Sequence, residues 1–517
     1  MKLNLTCLFE SYKGFEAQYL LSPGPNKNMA ARVPAEIWIS IFRFAVAAQS
    51  GLDITALPMA TSPSFWTKGF RKEWVLRTPL DDASLLHRQR NTTLKSIVCT
   101  CRFWRQLGAE FLLEYLYFQD PANVIRLCAV LDSDRHPGRY IRRLHIARFH
   151  ERFGFTLEEL QMALVSIIQH SHKLQIFIME WPLRNAFASA MDALCTYSAR
   201  SLQTLHVYIP QGELAKLIWT LDTLPCLLAV HLEFTGTRTE DSSLGAASNI
   251  VLTLPRVHQL TLRGFASDFV DQAVDWSLPS LRTLTLDFTT HRDDLPDILE
   301  FLRSHGSQLT FLDVDCIPEQ DVRPILDFCP ALETFAFNGD WRLPLDDAQP
   351  HPVSAVVHQP HPTITTIGLH GMHYAFGVGT ALQAPFHVSA FHCDSNDFTF
   401  FALQKHNFPK LERIRLLSSS LLQHLEEANG PKGDFRRRWE RWWIHCSNQE
   451  IRLEDCTGAE LGDLPVDEED YSDTGSEAGE VESVSEMALD DPIARIRALT
   501  ERCRQMTASL QYPYPIQ

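Results

Sequence analysis

The chain has 517 residues, 45% hydrophobic and 21% charged, which is enough to bury a large core in two or more structural units. Its formal net charge is −16, but residues 454–491 hold fifteen Asp or Glu and no Lys or Arg, so the overall charge describes that segment and leaves the folded body near −1. No segment approaches the roughly 18 consecutive apolar residues of a membrane span.

The N-terminus does not read as a targeting signal. Glu10, Lys13 and Glu16 interrupt any apolar run, so residues 1–30 are expected to be a flexible lead. The twelve cysteines are scattered, without a C-x-x-C pair or the framework of a small secreted protein, which favours a reducing compartment. We therefore expect a cytoplasmic or nuclear protein that does not enter a membrane.

Two stretches near the front have helical periodicity. In "ARVPAEIWISIFRFAV" (31–46), Pro34 fixes the first turn and apolar residues recur three and four positions apart. The stretch "TTLKSIVCTCRFWRQLGAEFLLEYLYF" (92–118) looks like the helical partner of the first. The 45-residue segment 47–91 separates the two, so the pair predicts a small helical unit that is split by an insertion.

From residue 140 onward, one short pattern recurs, with apolar residues at positions 1, 4 and 6, as in "SLQTLHV", "RVHQLTL" and "SLRTLTL". This is the strand signature of a leucine-rich repeat, and its spacing averages about 28 residues. The second apolar positions, taken as markers, are Leu144, Phe177, Leu205, Val230, Leu260, Leu284, Leu312, Phe335, Ile367, Phe391, Ile414 and Ile451.

Helix-like stretches such as "LPDILEFLRSHG" lie between these strands, so each unit is a strand followed by a helix. Such units must stack into a solenoid to bury their faces. A βα barrel or doubly wound sheet also alternates strands and helices, but its strands are covered on both faces and read as continuous apolar runs. The alternation in "RTLTLDF" favours the solenoid, and the absence of the usual Asn, replaced by Gln211 and Thr290, predicts irregular curvature.

The C-terminal part has three features. The segment "FRRRWERWWIHC" (435–446) could bind nucleic acid, but we expect a helix whose Trp439, Trp442 and Trp443 pack against the last repeats. The acidic segment 454–491 is expected to be disordered, because like charges and few aromatic residues cannot offset the ordering entropy. Residues 492–517 are expected to form a helix and tail.

The front end resembles the F-box motif, which has a Leu/Val-Pro opening, an apolar helix and a Cys-Arg-x-Trp element in a later helix. The fold class expected is therefore α/β: an N-terminal helical F-box (31–118, with the insertion 47–91), an irregular leucine-rich-repeat solenoid (119–453) and the acidic C-terminal segment. The residues that carry the resemblance and would contact the adaptor are Val33, Pro34, Ile37, Ile41, Phe42, Leu94, Val98, Cys101 and Trp104.

The resemblance implies a function. In fungal-type F-box proteins with leucine-rich repeats, the F-box docks on a Skp-type adaptor and through it on a cullin, and the repeats capture a substrate for ubiquitin transfer. Three short helices bury too little apolar area to be stable alone, which also leaves an apolar face for a partner. Two alternatives stay open: the helices cap the solenoid, or the chain is a protein-interaction scaffold with no ligase attached.

Catalytic chemistry is not indicated. The chain has no G-x-S-x-G, Walker, H-E-x-x-H or G-x-G-x-x-G pattern, so we expect a non-enzymatic subunit with no cofactor and no metal. His351, His358 and His361 alternate with prolines and are read as a surface loop. No nucleic-acid partner is expected.

Substrate binding is expected on the sheet face that points away from the helices, at the third, fifth and seventh positions of the repeat. Flanking units would add Glu233, Arg263, Asn338, His370, His392 and Asp394. The middle of this face is predicted to be acidic and to attract a basic, unphosphorylated segment. The residues predicted to bind substrate are Asp287, Phe311, Asp313 and Asp315.

Overall fold

The structure is a computed structural model. The residues it describes are 33–47, 58–59, 61–68, 74–133, 136–147, 156–210, 212–235, 244–288, 298–315, 322–340, 356–383 and 386–461. The predicted lead (1–30), the segments 462–491 and 492–517 and His351 lie outside these residues. The chain divides into two compact units, the first from 1–58 and 80–313 and the second from 59–79 and 314–517.

The N-terminal part is a set of helices with a hairpin in the insertion. Its elements are α1 (Ala35–Ala47), β1 (Phe65–Lys68), β2 (Trp74–Arg77), α2 (Pro79–Thr100) and α3 (Arg102–Glu114). Strands β1 and β2 pair antiparallel, with Phe65 opposite Arg77. Helix α2 begins at Pro79, inside the segment 47–91, so the insertion is shorter than the sequence indicates.

The rest of the first unit alternates strands with helices. The strands are β3 (Tyr115–Phe118), β4 (Arg143–Ile146), β5 (Ile176–Met179), β6 (Thr204–Ile209), β7 (Ala229–Phe234), β8 (Gln259–Gly264) and β9 (Thr283–Asp287). The helices are α4 (Pro121–Ser133), α5 (Leu157–His170), α6 (Phe187–Tyr197), α7 (Leu214–Asp222), α8 (Ser267–Ala273) and α9 (Ile298–His305). Strands β3 to β9 pair parallel with their neighbours in chain order.

Strand β10 (Phe311–Asp315) lies where the chain passes from the first unit to the second. The second unit continues the pattern with α10 (Val322–Phe328), β11 (Thr334–Asn338), β12 (Thr366–His370), α11 (His373–Phe376), α12 (Phe386–Ala402), β13 (Arg413–Leu416), α13 (Ser419–Glu427), α14 (Asp434–Ser447) and β14 (Arg452–Glu454). Strands β11 to β14 pair parallel in chain order. Short 3-10 helices span His136–Tyr140, Arg184–Ala186, Gly245–Asn249, Gly306–Gln308 and Gly379–Gln383.

The predicted repeat register is largely confirmed. Markers predicted on neighbouring strands are direct register partners, from Leu144 and Phe177 through to Leu284 in the first unit. In the second unit Phe335, Ile367 and Ile414 are aligned in the same way. Each unit is thus a solenoid-like stack in which the marker residues are buried against the helices.

Two repeat markers and the end of the helical front unit are wrong. Phe391 lies inside helix α12, since a short apolar run does not distinguish helix from strand. In β14 the partner of Ile414 is Leu453, two residues beyond the predicted marker Ile451. Helix α3 ends at Glu114, and the following "YLYF" is strand β3 because its backbone pairs with β4. The parallel sheet therefore begins before residue 119.

The insertion hairpin is part of the second unit. Ser64 N donates to Cys456 O over 2.8 Å, and Arg415 Nη1 donates to Thr61 O over 2.8 Å. Leu76 and Leu422 form a small buried cluster with Cys456, and Trp66 packs on it. The segment expected to be an excursion from the helices thus supplies core residues to the last repeats.

In helix α14, the central tryptophan is buried, as predicted. Trp442 is buried, stacks on Phe400 at 4.1 Å between ring centroids, and donates its indole N–H to Asp397 over 2.8 Å. Arg438 and Arg441 also contact Asp397. Trp439 and Trp443 are half-buried.

The first residues of the acidic segment 454–491 belong to the folded part of the chain. Glu454 and Asp455 are 2% and 1% exposed, Glu454 belongs to β14, and residues 454–461 are ordered. Arg415 and Arg452 compensate the Glu454 carboxylate, which is why this acidic residue is accommodated inside the fold. Within the described residues, every helix is too short or too polar to cross a membrane.

Candidate functional site

The N-terminal helices α1, α2 and α3 pack around one apolar cluster. Pro34 precedes α1, and its carbonyl accepts hydrogen bonds from Ile37 N and Trp38 N. The buried members of the cluster are Phe42, Val46, Leu94, Ile97 and Phe111. These residues come from all three helices, so the cluster holds α1 against the α2–α3 pair.

Three aromatic rings form the contact between α1 and α3. Trp104 lies 4.6 Å from Trp38 and 5.2 Å from Phe42, and Trp38 lies 6.0 Å from Phe42, all between ring centroids. The T-shaped and tilted arrangements are those that aromatic pairs prefer. Trp104 therefore serves as a packing residue of the helical unit.

The Cys-Arg-Phe-Trp element begins α3. Cys101 is the N-cap, and its Sγ accepts a hydrogen bond from Trp104 N over 3.4 Å. Gly108 allows α3 to approach α2 closely, because a Cβ there would lie 2.8 Å from a methyl carbon of Val98. The motif thus sets the start of α3 and its distance from α2.

The residues predicted to contact the adaptor fall into two groups. Phe42, Leu94 and Val98 are at most 3% exposed and lie in the core. Val33, Cys101 and Trp104 are half-buried. Pro34, Ile37 and Ile41 are exposed.

Sequence reasoning missed one exposed residue of this kind. Phe44 is 76% exposed, while Ile37 and Ile41 are 50% and 45% exposed. The three lie four and three positions apart, which places them on one face of α1. We call Ile37, Ile41 and Phe44 the outer stripe of α1.

The predicted substrate residues have mixed surroundings. In β9, the core residues Leu284 and Leu286 alternate with half-buried Thr283, Thr285 and Asp287, as expected. Strand β10 is instead buried on both faces, and Phe311 and Asp313 are only 6% and 2% exposed. The expectation that these two are accessible is wrong, and their part in substrate binding stays a prediction.

The carboxylates at the ends of these strands have polar partners. Asp287 Oδ2 lies 2.8 Å from Arg263 Nε. Asp315 Oδ1 accepts a hydrogen bond from Asn338 Nδ2 over 3.0 Å, and the His370 imidazole lies 3.9 Å from its Oδ2. The negative charge predicted for this face is thus partly compensated by the neighbouring repeats.

At the start of the sheet, the face opposite the repeat helices carries a row of polar aromatic residues. His87 on α2 packs on Tyr117, with 5.2 Å between ring centroids, and Tyr117 packs edge-on against His145 at 4.7 Å. Burial, followed by the positive charges of Arg143 and Arg90, lowers the pKa of His87 to about 3. Neutral His87 is also the form that pairs with the Asn91 side-chain amide, 3.1 Å from its Nε2.

Further along the same face, two histidines and a glutamate converge. His206 Nε2 and His231 Nε2 each lie 3.3 Å from Glu233 Oε1, and the two imidazole centroids are 3.8 Å apart. Burial and the nearby His206 lower the pKa of His231 to about 4. Although burial opposes it, the two imidazoles hold the pKa of Glu233 well below its usual range.

This cluster was not found from the sequence, although a signal was present. His206 in "SLQTLHV" and His231 in "LLAVHLE" occupy the same repeat position of adjacent strands, and Glu233 follows two residues later. Among the residues that the structure describes, these three are the group with metal-ligand geometry. His358 and His361 bind protein groups instead, the Asp327 carboxylate and the Cys329 carbonyl.

Comparison with known proteins identifies no family. No family model matches the chain, and no curated protein matches it. Solved structures that match include the crystal structure of a Bacteroides fragilis protein from a structural-genomics consortium, 12% identical, covering 78% of this chain and 96% of that one, with a TM-score of 0.30. A similarity this low gives no information about function.

Proposed function

We propose that the chain is the substrate-recognition subunit of a cullin-based, SCF-type E3 ubiquitin ligase. Helices α1 to α3 would act as an F-box that docks on a Skp-type adaptor, and the strand–helix repeats would bind the substrate. The ubiquitin-transfer chemistry would belong to other subunits. The observation that carries this proposal is the outer stripe of α1, a set of exposed apolar side chains on a helix whose other side is fixed by aromatic packing.

The two sides of α1 differ in whether their apolar side chains are covered within the chain. Phe42 is 1% exposed and Trp38 is half-buried, so the inner side is satisfied within the chain. Ile37, Ile41 and Phe44 remain exposed to solvent at a cost that a partner would relieve. Apolar anchors at helical spacing are the usual form of helix recognition by a groove or a second helix.

A capping role for these helices is compatible with docking. Arg90 of α2 stacks over the Tyr115 ring at 4.3 Å and donates to the Phe111 carbonyl over 3.1 Å. These contacts cover the first strand of the sheet, as a terminal cap must. They use α2 and the end of α3, and they leave the outer stripe of α1 available.

The second candidate function is a repeat scaffold with no ligase attached. It is distinguished by adaptor affinity, measured by calorimetric titration of a recombinant Skp-type adaptor into the full chain. Full burial of a large apolar side chain contributes about 1.5–3 kcal/mol. Scaled by the exposed fractions of the outer stripe, docking gains about 3–5 kcal/mol, or roughly 10²–10⁴ in Kd.

The variant that tests this is Ile37→Ser/Ile41→Ser/Phe44→Ser. We expect it to weaken adaptor binding by that factor. The matched control, Met162→Ser/Trp219→Ser/Val251→Ser, removes three other exposed apolar side chains from the same unit and should bind as the wild type does. Equal affinities for both variants would reject the outer stripe as the docking surface, and a wild-type chain that does not bind the adaptor would favour the scaffold.

A further inference from the structure

The residues His206, His231 and Glu233 lie together because of the repeat register. His206 on β6 is the direct partner of His231 on β7, so their side chains stand next to each other on one face of the sheet. Glu233 follows His231 by two residues on the same strand, and strand periodicity places its side chain on that face as well. Two rigid, paired strands therefore supply all three groups.

We propose that these three side chains form a binding site for a divalent transition-metal ion, with Zn²⁺ as the first candidate. Both imidazoles would bind through Nε2 and Glu233 through a carboxylate oxygen. Each residue offers one ligand atom, an imidazole nitrogen or a carboxylate oxygen, and these three atoms lie within 4.8 Å of one another. The proposal concerns a site separate from the adaptor-binding helices and does not depend on the function proposed for them.

The distances fit coordination. Zinc binds imidazole nitrogen at about 2.0–2.1 Å and carboxylate oxygen at about 2.0–2.2 Å, so two ligands of a tetrahedral ion lie about 3.3 Å apart. The two N···O distances in the cluster are both 3.3 Å. Two of the three ligand–ligand distances thus already match those of a tetrahedral ion, and all three lie within 4.8 Å.

Hydrogen bonding alone explains this cluster poorly. On the same face, His145 Nε2 lies 2.6 Å from Glu180 Oε1, which is the short distance expected of an imidazole–carboxylate hydrogen bond. In the cluster, both imidazoles approach the same oxygen at the longer distance. His231 Nε2 is buried and makes no hydrogen bond of acceptable geometry. A buried ring nitrogen that makes no hydrogen bond within the chain is available to bind a metal.

The ligand set indicates which ions would bind. Two imidazole nitrogens and one carboxylate suit Zn²⁺, Cu²⁺, Ni²⁺ or Fe²⁺, whereas Mg²⁺ and Ca²⁺ prefer oxygen ligands. Three protein ligands leave a fourth position of a tetrahedral ion for water or for a group of a bound partner. Arg263 Nη1 lies 4.0 Å from Glu233 Oε1, so a guanidinium stands beside the site and would favour an anionic fourth ligand.

The test uses Co²⁺ as a spectroscopic probe, titrated into the full chain and then displaced by Zn²⁺. We expect one Co²⁺ per chain, with visible d–d bands of nitrogen and oxygen ligation and without the near-ultraviolet charge-transfer band of cysteine thiolates. His231→Gln and Glu233→Gln should each weaken binding by more than about 100-fold, since even the loss of a supporting residue costs 10–100-fold. His258→Gln, a half-buried histidine outside the cluster in the same unit, is the matched control and should bind as the wild type does.

Thermal unfolding with and without Zn²⁺ separates a loss of metal binding from a loss of stability. The Tm of each variant without metal is the baseline against which its own response to Zn²⁺ is measured, so a loss of stability in His231→Gln is separated from a loss of metal binding. Added Zn²⁺ should raise the Tm of the wild type and of His258→Gln, and should leave the Tm of His231→Gln unchanged. Failure of the wild type to bind Co²⁺ at millimolar concentration, a thiolate spectrum, or wild-type affinity in both His231→Gln and Glu233→Gln would each overturn the proposal.

Discussion

Two phenylalanines on α1 should respond in opposite ways to truncation. Phe42 is 1% exposed and packs against Trp38 and Trp104, while Phe44, two residues away, is 76% exposed. Phe42→Ala leaves a cavity between α1 and α3 and should cost about 3–5 kcal/mol of the packing free energy of these helices. Phe44→Ala removes a side chain from solvent and should change stability by less than about 0.5 kcal/mol.

Amide hydrogen exchange measured by mass spectrometry can resolve this difference for each helix. In Phe42→Ala, peptides covering α1 and α3 should exchange about 10²–10⁴ times faster, because the cavity lowers the free energy of local opening by the same amount. In Phe44→Ala, the same peptides should exchange as in the wild type. Equal protection of α1 in the two variants would refute the assignment of an inner and an outer side to this helix.

Two further predictions concern buried charge. The pKa of His87 is about 3 in the folded chain and 6.5 in the unfolded chain. The contribution of neutral His87 to the free energy of unfolding of the first unit is therefore complete above pH 6.5, and it is lost as the pH drops toward 3. At pH 5 the loss from His87 is about 2 kcal/mol. Urea unfolding should show that the free energy of unfolding differs less between pH 5 and pH 7.5 in His87→Gln than in the wild type. The same difference in both proteins would contradict the prediction. Arg415, 12% exposed, pairs with Glu454, 2% exposed, and Arg415→Met should destabilise the second unit by about 3–5 kcal/mol because it leaves a buried carboxylate without that partner. Arg415→Met/Glu454→Met should recover most of this loss in denaturant unfolding, and a double variant as unstable as the single one would contradict the account.

The repeats were predictable because their signal is periodic and redundant. A marker such as Leu260 is one of many at the same repeat position, and its register partners Val230 and Leu284 were identified in the same way. Elements that depart from the repeat pattern were not predictable. Strand β3 and helix α12 were assigned wrongly because their short apolar runs fit either structure, and pairing with neighbouring elements decides between them.

The two sides of α1 could not be separated from the sequence. The helix "AEIWISIFRFAVA" is apolar around most of its circumference, so periodicity does not say which face is buried. The choice is made by Trp104, which comes from α3 and covers Trp38 and Phe42. The sequence resemblance therefore grouped core residues such as Leu94 with exposed residues such as Ile37.

The predicted start of the disordered segment near the C-terminus was wrong for a similar reason, because it was taken from charge composition alone. Composition predicts disorder from residue 454 onward, yet the first acidic residues of that segment belong to β14 and the turn after it. Their carboxylates are buried with partners that lie far away in sequence: Glu454 contacts Arg415. A count of charges cannot include such partners.

The measurement that tests the central proposal most directly is the exchange footprint of a Skp-type adaptor on the full chain. Hydrogen exchange would be compared with and without saturating adaptor. The account predicts added protection in peptides covering α1, which carries Ile37, Ile41 and Phe44, and unchanged exchange in strands β6 to β8. An adaptor that binds without changing α1, or that protects only the repeats, would contradict the proposal that this helix is the docking element of a ligase subunit.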